Sequence, residues 1–137
     1  GALPYRFIAA SDHPLAKKQS IGVEDLAGQD LVGFEDSTQT GRNLDRLFAG
    51  MAHPPLVRFR SYLSHIVSVM VLRGLGVALV DPFTAETHEQ MGGISRPFLS
   101  GERFEYAVIK ALGARLSSEC TALVDIFVSL ADRHRTE

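Results

Sequence analysis

The spacing of apolar positions changes several times along the chain, and each change predicts an element. Residues 5–10 ("YRFIAA") form a short apolar run that predicts a strand, broken by Pro14 and its polar neighbours. Residues 23–30 predict one helical turn leading into a strand at 31–34, and residues 35–43 ("EDSTQTGRN") predict a polar loop. Leu44, Leu47, Phe48 and Met51 recur at helical spacing, so an amphipathic helix is expected from Asn43 until Pro54 and Pro55 stop it. Residues 56–61 alternate and predict a third strand. Leu63, Ile66, Val67, Met70 and Val71 predict a second helix, with Val69 and Leu72 widening its apolar surface. Residues 76–80 ("GVALV") are continuously apolar, as a strand buried on both faces would be. A looser segment runs to Phe98. Residues 106–112 ("YAVIKAL") predict a fifth strand. Leu123, Ile126, Phe127 and Leu130 predict a last helix capped by Ser117 or Ser118. Strands alternating with helices point to an α/β architecture with largely parallel strands.

The stretch "LRGLGVALVDPFT" (72–84) contains a G-x-G pattern, but the order of elements is wrong for a dinucleotide fingerprint. That fingerprint follows a strand and opens a helix, whose N-terminus faces the phosphates. Here the helix comes first, so the glycines sit at a helix C-terminus, where the dipole repels anions. Gly74 is expected to end the helix in the left-handed conformation, and Gly76 to let the strand start close against the helix it has just left. Asp81-Pro82 is expected to stop the strand and send the chain onward.

Composition adds exclusions. The chain has 137 residues, 45% hydrophobic and 22% charged, with 14 basic and 16 acidic residues for a net charge of −2. That is the make-up of an ordinary folded domain without the basic excess of a nucleic-acid module. The single cysteine, Cys120, forms no intrachain disulfide and is expected on the buried side of the last helix. No apolar run is long enough to span a bilayer and no signal peptide opens the chain, so no membrane partner is expected and a reducing cytoplasm is the default. The histidines at 13, 53, 65, 88 and 134 show no metal-ligand spacing, and no G-x-S-x-G elbow occurs, so neither a metal, a cofactor nor an enzyme activity is expected.

In order along the chain stand "HPLA" (13–16), "DLAGQDLV" (25–32), a polar loop running into a helix (36–48) and "GLGVALV" (74–80). In this order and spacing the sequence resembles the effector-binding domain of LysR-type transcriptional regulators, over residues 5 to 130. "VDPFTA" (80–85) resembles the branch that responds to lysine, diaminopimelate or opines. The resemblance implies two Rossmann-like lobes of the type II periplasmic-binding-protein kind, one complete and one partial, joined by two crossing strands. On that mapping residues 5–10 are the outgoing crossover, residues 81–84 the return hinge, and residues 94–134 the end of the first lobe. The division is then 11–84 for the second lobe, and 1–10 with 85–137 for the remainder of the first. The abrupt apolar start fits a chain cut on its N-terminal side, with the family's opening strands and winged helix lying outside it.

Candidate contacts follow. Asp36, Ser37, Thr38, Gln39 and Thr40 precede a helix whose free N–H groups suit a carboxylate, while Glu35 and Asp36 suit an ammonium. The same residues serve ordinary capping, with Thr40 or Asn43 as the cap. The resemblance adds Ser61, Tyr62 and Ser64 at the next helix start, Ser11 at the outgoing hinge, and Asp81 with Phe83 at the return. It also implies a small-molecule effector, an amino acid or opine, a homodimer or tetramer, and DNA contact only through a winged helix outside this chain. The alternative is a lobe of a solute-binding protein of similar fold with no transcriptional role.

Overall fold

The expected alternation of short strands and helices is present across residues 1–134, the part of the chain described by this computed structural model. In chain order the elements are β1 (Ala2–Pro4), β2 (Arg6–Ala9), a 3-10 turn (Pro14–Lys17), β3 (Ile21–Gly22), a second 3-10 turn (Val23–Leu26), β4 (Asp30–Phe34), α1 (Gln39–Ala49), β5 (Leu56–Ser61), α2 (Ser64–Leu72), β6 (Ala78–Val80), α3 (Pro82–Gln90), β7 (Ile94–Leu99), β8 (Arg103–Glu105) and α4 (Ser118–Arg133).

β2 is central: it pairs antiparallel with β6 on one side and with β7 on the other. β3 lies outside β7 and parallel to it. Val77, just before β6, bridges Leu31 in parallel, with Val77 N donating to Asp30 O and Val32 N to Val77 O, each at 2.9 Å. β4 pairs in parallel with β5, so the spatial order is β3-β7-β2-β6-β4-β5. β1 and β8 form a separate antiparallel pair, with Leu3 opposite Phe104. The core joins Phe7, Ile8, Leu31, Val32, Leu79 and Val80 of the sheet to Val67 and Val71 of α2 and Leu44 and Phe48 of α1.

The glycine reversal is as expected. Gly74 follows α2 with φ +76°, and every residue of β6 is buried. Gly76 takes φ +144°, and a Cβ there would lie 2.5 Å from the Asp30 carbonyl oxygen, so its close approach is to β4 rather than to the helix just left.

Other expectations are corrected. Residues 81–84 are not a hinge. Asp81 accepts hydrogen bonds from Thr84 N at 2.9 Å and Thr84 Oγ1 at 2.7 Å, and Pro82 fills the first helical position, so the segment opens α3. Such a cap and proline start a helix readily. The boundary expected at residue 84 therefore falls inside a helix. The "looser" segment contains β7, which returns to the sheet beside β2, and the chain leaves the sheet only after Leu99. Residues 106–112 are not a strand; the extended piece is β8, just before them, and Ile109 in the expected strand is 91% exposed. Cys120 is exposed, although Ser117 does cap α4 by accepting from Cys120 N at 3.2 Å. The side chains of Leu123, Ile126 and Phe127 on α4 are also exposed.

Candidate functional site

β4, β5 and β6 are neighbours and point the same way, so their C-terminal ends share one edge of the sheet. The chain passes from each of them into a helix: residues 35–38 lead to α1, 62–63 to α2 and Asp81 to α3. In open α/β sheets the crevice beyond the carboxyl ends of the strands is where loops from several strands meet a ligand. Asp36, Ser37, Thr38, Gln39, Thr40, Ser61, Tyr62, Ser64, Asp81 and Phe83 are all brought to this edge. Ser11 is not. β2 runs antiparallel to β6, so the residues after Ala9 emerge at the opposite edge, where Ala10, Asp12 and His13 line a cavity with Gly74 and Gly76. Ser11 was expected at the end of an outgoing crossover, but the strand before it, β2, is the central strand of the main sheet.

The wall formed by residues 35–40 is tightly braced. Thr38, not Thr40 or Asn43, is the N-cap of α1: its Oγ1 accepts from Gly41 N at 3.0 Å and donates to Glu35 O at 2.7 Å. Gly41 is buried against the end of β4, where a Cβ would lie 2.2 Å from Glu35 O. Arg42 reaches back to the carbonyls of Asp36 at 3.2 Å and Ser37 at 2.8 Å. Arg60 donates to Phe34 O at 2.6 Å and makes two bonds to the Asp45 carboxylate, at 3.0 and 3.1 Å. Its pKa is raised above the ordinary value, chiefly by that bond to Asp45, and Asp36 and Glu35 add their fields. Arg60 thus fastens β5 and α1 to the end of β4.

Ser61 Oγ accepts from Leu63 N at 3.1 Å, which bends the chain into α2 and leaves Tyr62 67% exposed. Asp81 is buried, its carboxylate held by Thr84. Phe83 and Thr84 line a cavity of about 190 Å³ with His65, Ser68 and Thr87, between α2 and α3. Asp36, Ser37, Gln39 and Tyr62 are exposed, so the edge is an open wall rather than a closed chamber.

Two residues of this edge have no counterpart among the sequence candidates. Tyr5, between β1 and β2, is 1% exposed. Its phenol pKa is raised, chiefly by burial and further by the nearby carboxylates of Glu102 and Asp81, with the polar side chains of Thr40 and Asn43 acting in the opposite direction. Glu102, just before β8, is the second. Tyr5 lay inside an apolar run and Glu102 outside any motif, so neither carried a signal in the chain alone.

The chain matches the family described as the LysR substrate binding domain over residues 1–131. It belongs to that family. It is 26% identical over 100 residues to the transcriptional activator protein LysR of Escherichia coli (strain K12), which covers 73% of this chain and 32% of that protein. Among solved structures it resembles the regulatory domain of NMB2055 (MetR), a LysR family regulator from N. meningitidis. There the TM-score is 0.61 at 24% identity, covering 72% of this chain and 46% of that one. It also resembles the effector binding domain of QuiR in complex with shikimate, with a TM-score of 0.64 at 16% identity over 97% of this chain and 63% of that one. This LysR-family chain thus spans less than two thirds of the length of each of these relatives. Its fold is theirs, of the type II periplasmic-binding-protein kind. The carboxyl edge of this LysR substrate-binding domain offers hydroxyls and the N-terminus of α1, with Asp81 at the end of the neighbouring strand β6.

Proposed function

We propose that this chain senses a small-molecule effector for a LysR-type transcriptional regulator and takes part in its oligomerisation. The observation that carries this reading is the convergence of three strand ends on one edge, beside the paired strands β1 and β8. On this reading β1 and β8 are the two crossing strands. Residues 5–101 form one lobe, and residues 1–4 and 102–134 belong to the other.

The ligand contacts proposed are Asp36, Ser37, Thr38, Gln39, Thr40, Ser61, Tyr62, Ser64, Asp81 and Phe83, with Glu102 added and Ser11 left out. A carboxylate is suited to the first turn of α1, and an ammonium to Asp36 or Glu102, which together favour an amino acid or an opine. Shikimate, bound by QuiR, also carries a carboxylate. No turnover is involved. Ligand that favours one lobe angle tenfold over another biases the equilibrium by about 1.4 kcal/mol. Contacts between copies, through α1 or α2 in a homodimer or tetramer, carry that bias to a DNA-binding winged helix outside this chain, in the cytoplasm.

A thermal-shift series on the intact protein with basic amino acids and opines tests this. One of them is expected to raise Tm by about 5 °C when present well above its Kd. Ser61→Ala and Asp36→Asn should each reduce that shift, and Ser11→Ala should leave it unchanged. No shift with any member of the series would remove the amino-acid and opine reading.

A further inference from the structure

One cavity, of about 250 Å³, is lined by none of residues 35–40 and lies between α3, the paired strands β2 and β7, and the end of α4. Glu86 and Glu89 of α3, Arg6 of β2 and Ser95 of β7 face it, and Arg133 and His134 close one side. Its polar groups form a fixed chain. Arg6 Nη2 donates to Ser95 Oγ at 3.0 Å, and Ser95 Oγ donates to Glu89 Oε1 at 2.8 Å. The same Glu89 oxygen accepts from Ser95 N at 3.3 Å. His134 meets Phe83 edge-on, with ring centroids 5.1 Å apart, and its Nε2 lies 3.6 Å from Glu86 Oε2, which seats the end of α4 on α3. Two groups of this chain keep capacity in reserve. Arg6 is only partly exposed, yet among the described residues it pairs with no carboxylate and spends a single N–H on a serine hydroxyl. Glu89 uses only Oε1, so among the described residues its second oxygen accepts no hydrogen bond. A guanidinium drawn partly out of water without a carboxylate is a costly arrangement, and a bound anion relieves it.

We propose that this cavity binds a small 2-amino or 2-hydroxy acid, with its carboxylate on Arg6 and the neighbouring N–H or O–H donor on Glu89. The planar guanidinium fork matches a carboxylate, to which it can make two parallel bonds. The acidic side chains of Glu86 and Glu89 oppose the double charge of a phosphate, and Glu89 Oε2 is an acceptor waiting for a donor. Ser95 holds Arg6 and Glu89 at a set separation, so the two ends of the ligand meet groups already in place. The volume lies below the roughly 300–1,000 Å³ of sites that take drug-sized molecules, which limits the occupant to a small metabolite. Bound there, it would lie between the main sheet and the last helix and hold the end of α4 on α3. This site is additional to the strand ends proposed for the effector and does not depend on that reading.

The test is hydrogen exchange on the intact protein, titrated with L-alanine, L-lactate and propionate, acids of like size that differ in the donor. Alanine or lactate is expected to slow exchange in peptides covering residues 85–90 and 93–97, the second of which contains the Ser95 amide bonded to Glu89. At ten times Kd the slowing should approach about tenfold. Propionate offers Glu89 no donor and should bind about tenfold more weakly than the better of the other two, whose identity tells ammonium from hydroxyl. Arg6→Lys keeps the charge but loses the fork, and should raise Kd about tenfold. Exchange around the Val77 amide, bonded to Asp30, should be the same in that variant and reports an intact sheet. No slowing with any of the three acids, equal binding of propionate, or binding undiminished by Arg6→Lys overturns the proposal. Protection confined to residues 35–42 overturns it too, by placing the acid at the strand ends. Effector binding there is decided separately, by the thermal-shift series.

Discussion

Replacing Gly76 by alanine is expected to lower the unfolding free energy by about 3 kcal/mol or more. Two costs combine. The new Cβ would lie 2.5 Å from the Asp30 carbonyl oxygen and 2.9 Å from its carbon, both backbone atoms that cannot swing aside. The backbone also holds φ at +144°, which an L side chain rarely adopts. Relief would require β6 to part from β4, breaking the paired bonds between Val77 and residues 30 and 32. Gly74→Ala is the control. Its φ is +76° but no atom lies within 4 Å of the added Cβ, so only the conformational cost of about 1 kcal/mol applies. Urea unfolding followed by circular dichroism measures both. Equal losses would mean that the close approach to β4 is not what requires glycine at 76.

His88→Leu is expected to cost about 2–4 kcal/mol. His88 is fully buried on α3, with Nδ1 at 2.8 Å from Ser68 Oγ of α2 and Nε2 at 2.9 Å from Ala9 O of β2. A carbonyl only accepts, so Nε2 donates to Ala9, and in that tautomer Nδ1 accepts the Ser68 proton. The ring fastens α3 to a helix and a strand at once. Leucine keeps much of the volume but leaves a buried hydroxyl and a buried carbonyl without their partner. Ser68→Ala alone should cost less, and the double variant should cost less than the sum of the singles, because both remove the same bond. Strict additivity in the same urea experiment would show that the bond carries no stability.

The helices and inner strands were legible where spacing alone decides them. Leu44, Leu47 and Phe48 marked α1, and the unbroken run after Gly76 marked β6 as an inner strand. Signals that depend on a partner were misread. Asp81-Pro82 stops a strand and starts a helix with the same two residues, and only the Thr84 hydrogen bonds show that it does both here. β7 carries Ser95, Arg96 and Pro97, a poor strand pattern by itself, yet β2 supplies the pairing that orders it. Residues 106–112 have the strand composition, but past Tyr106, which bonds with Gly1, none of them lies in a strand. The candidate site followed the same division. Loops after parallel strands were found, because polar residues ahead of a helical pattern are visible in one dimension. Ser11 was misplaced because strand direction is not visible there. Arg60 and His88 were missed as fastenings because each joins elements distant in sequence.

Ligand is proposed to bind where β4, β5 and β6 end, beside the paired strands β1 and β8. The most direct test is a hydrogen-exchange footprint of the intact protein with the amino acid or opine that gives the largest thermal shift. The account predicts slowed exchange in peptides covering residues 35–42, 61–64, 81–84 and 102–104, with residues 10–13 and 74–76 unchanged. Protection confined to 10–13 and 74–76, the opposite edge of the sheet, would contradict it.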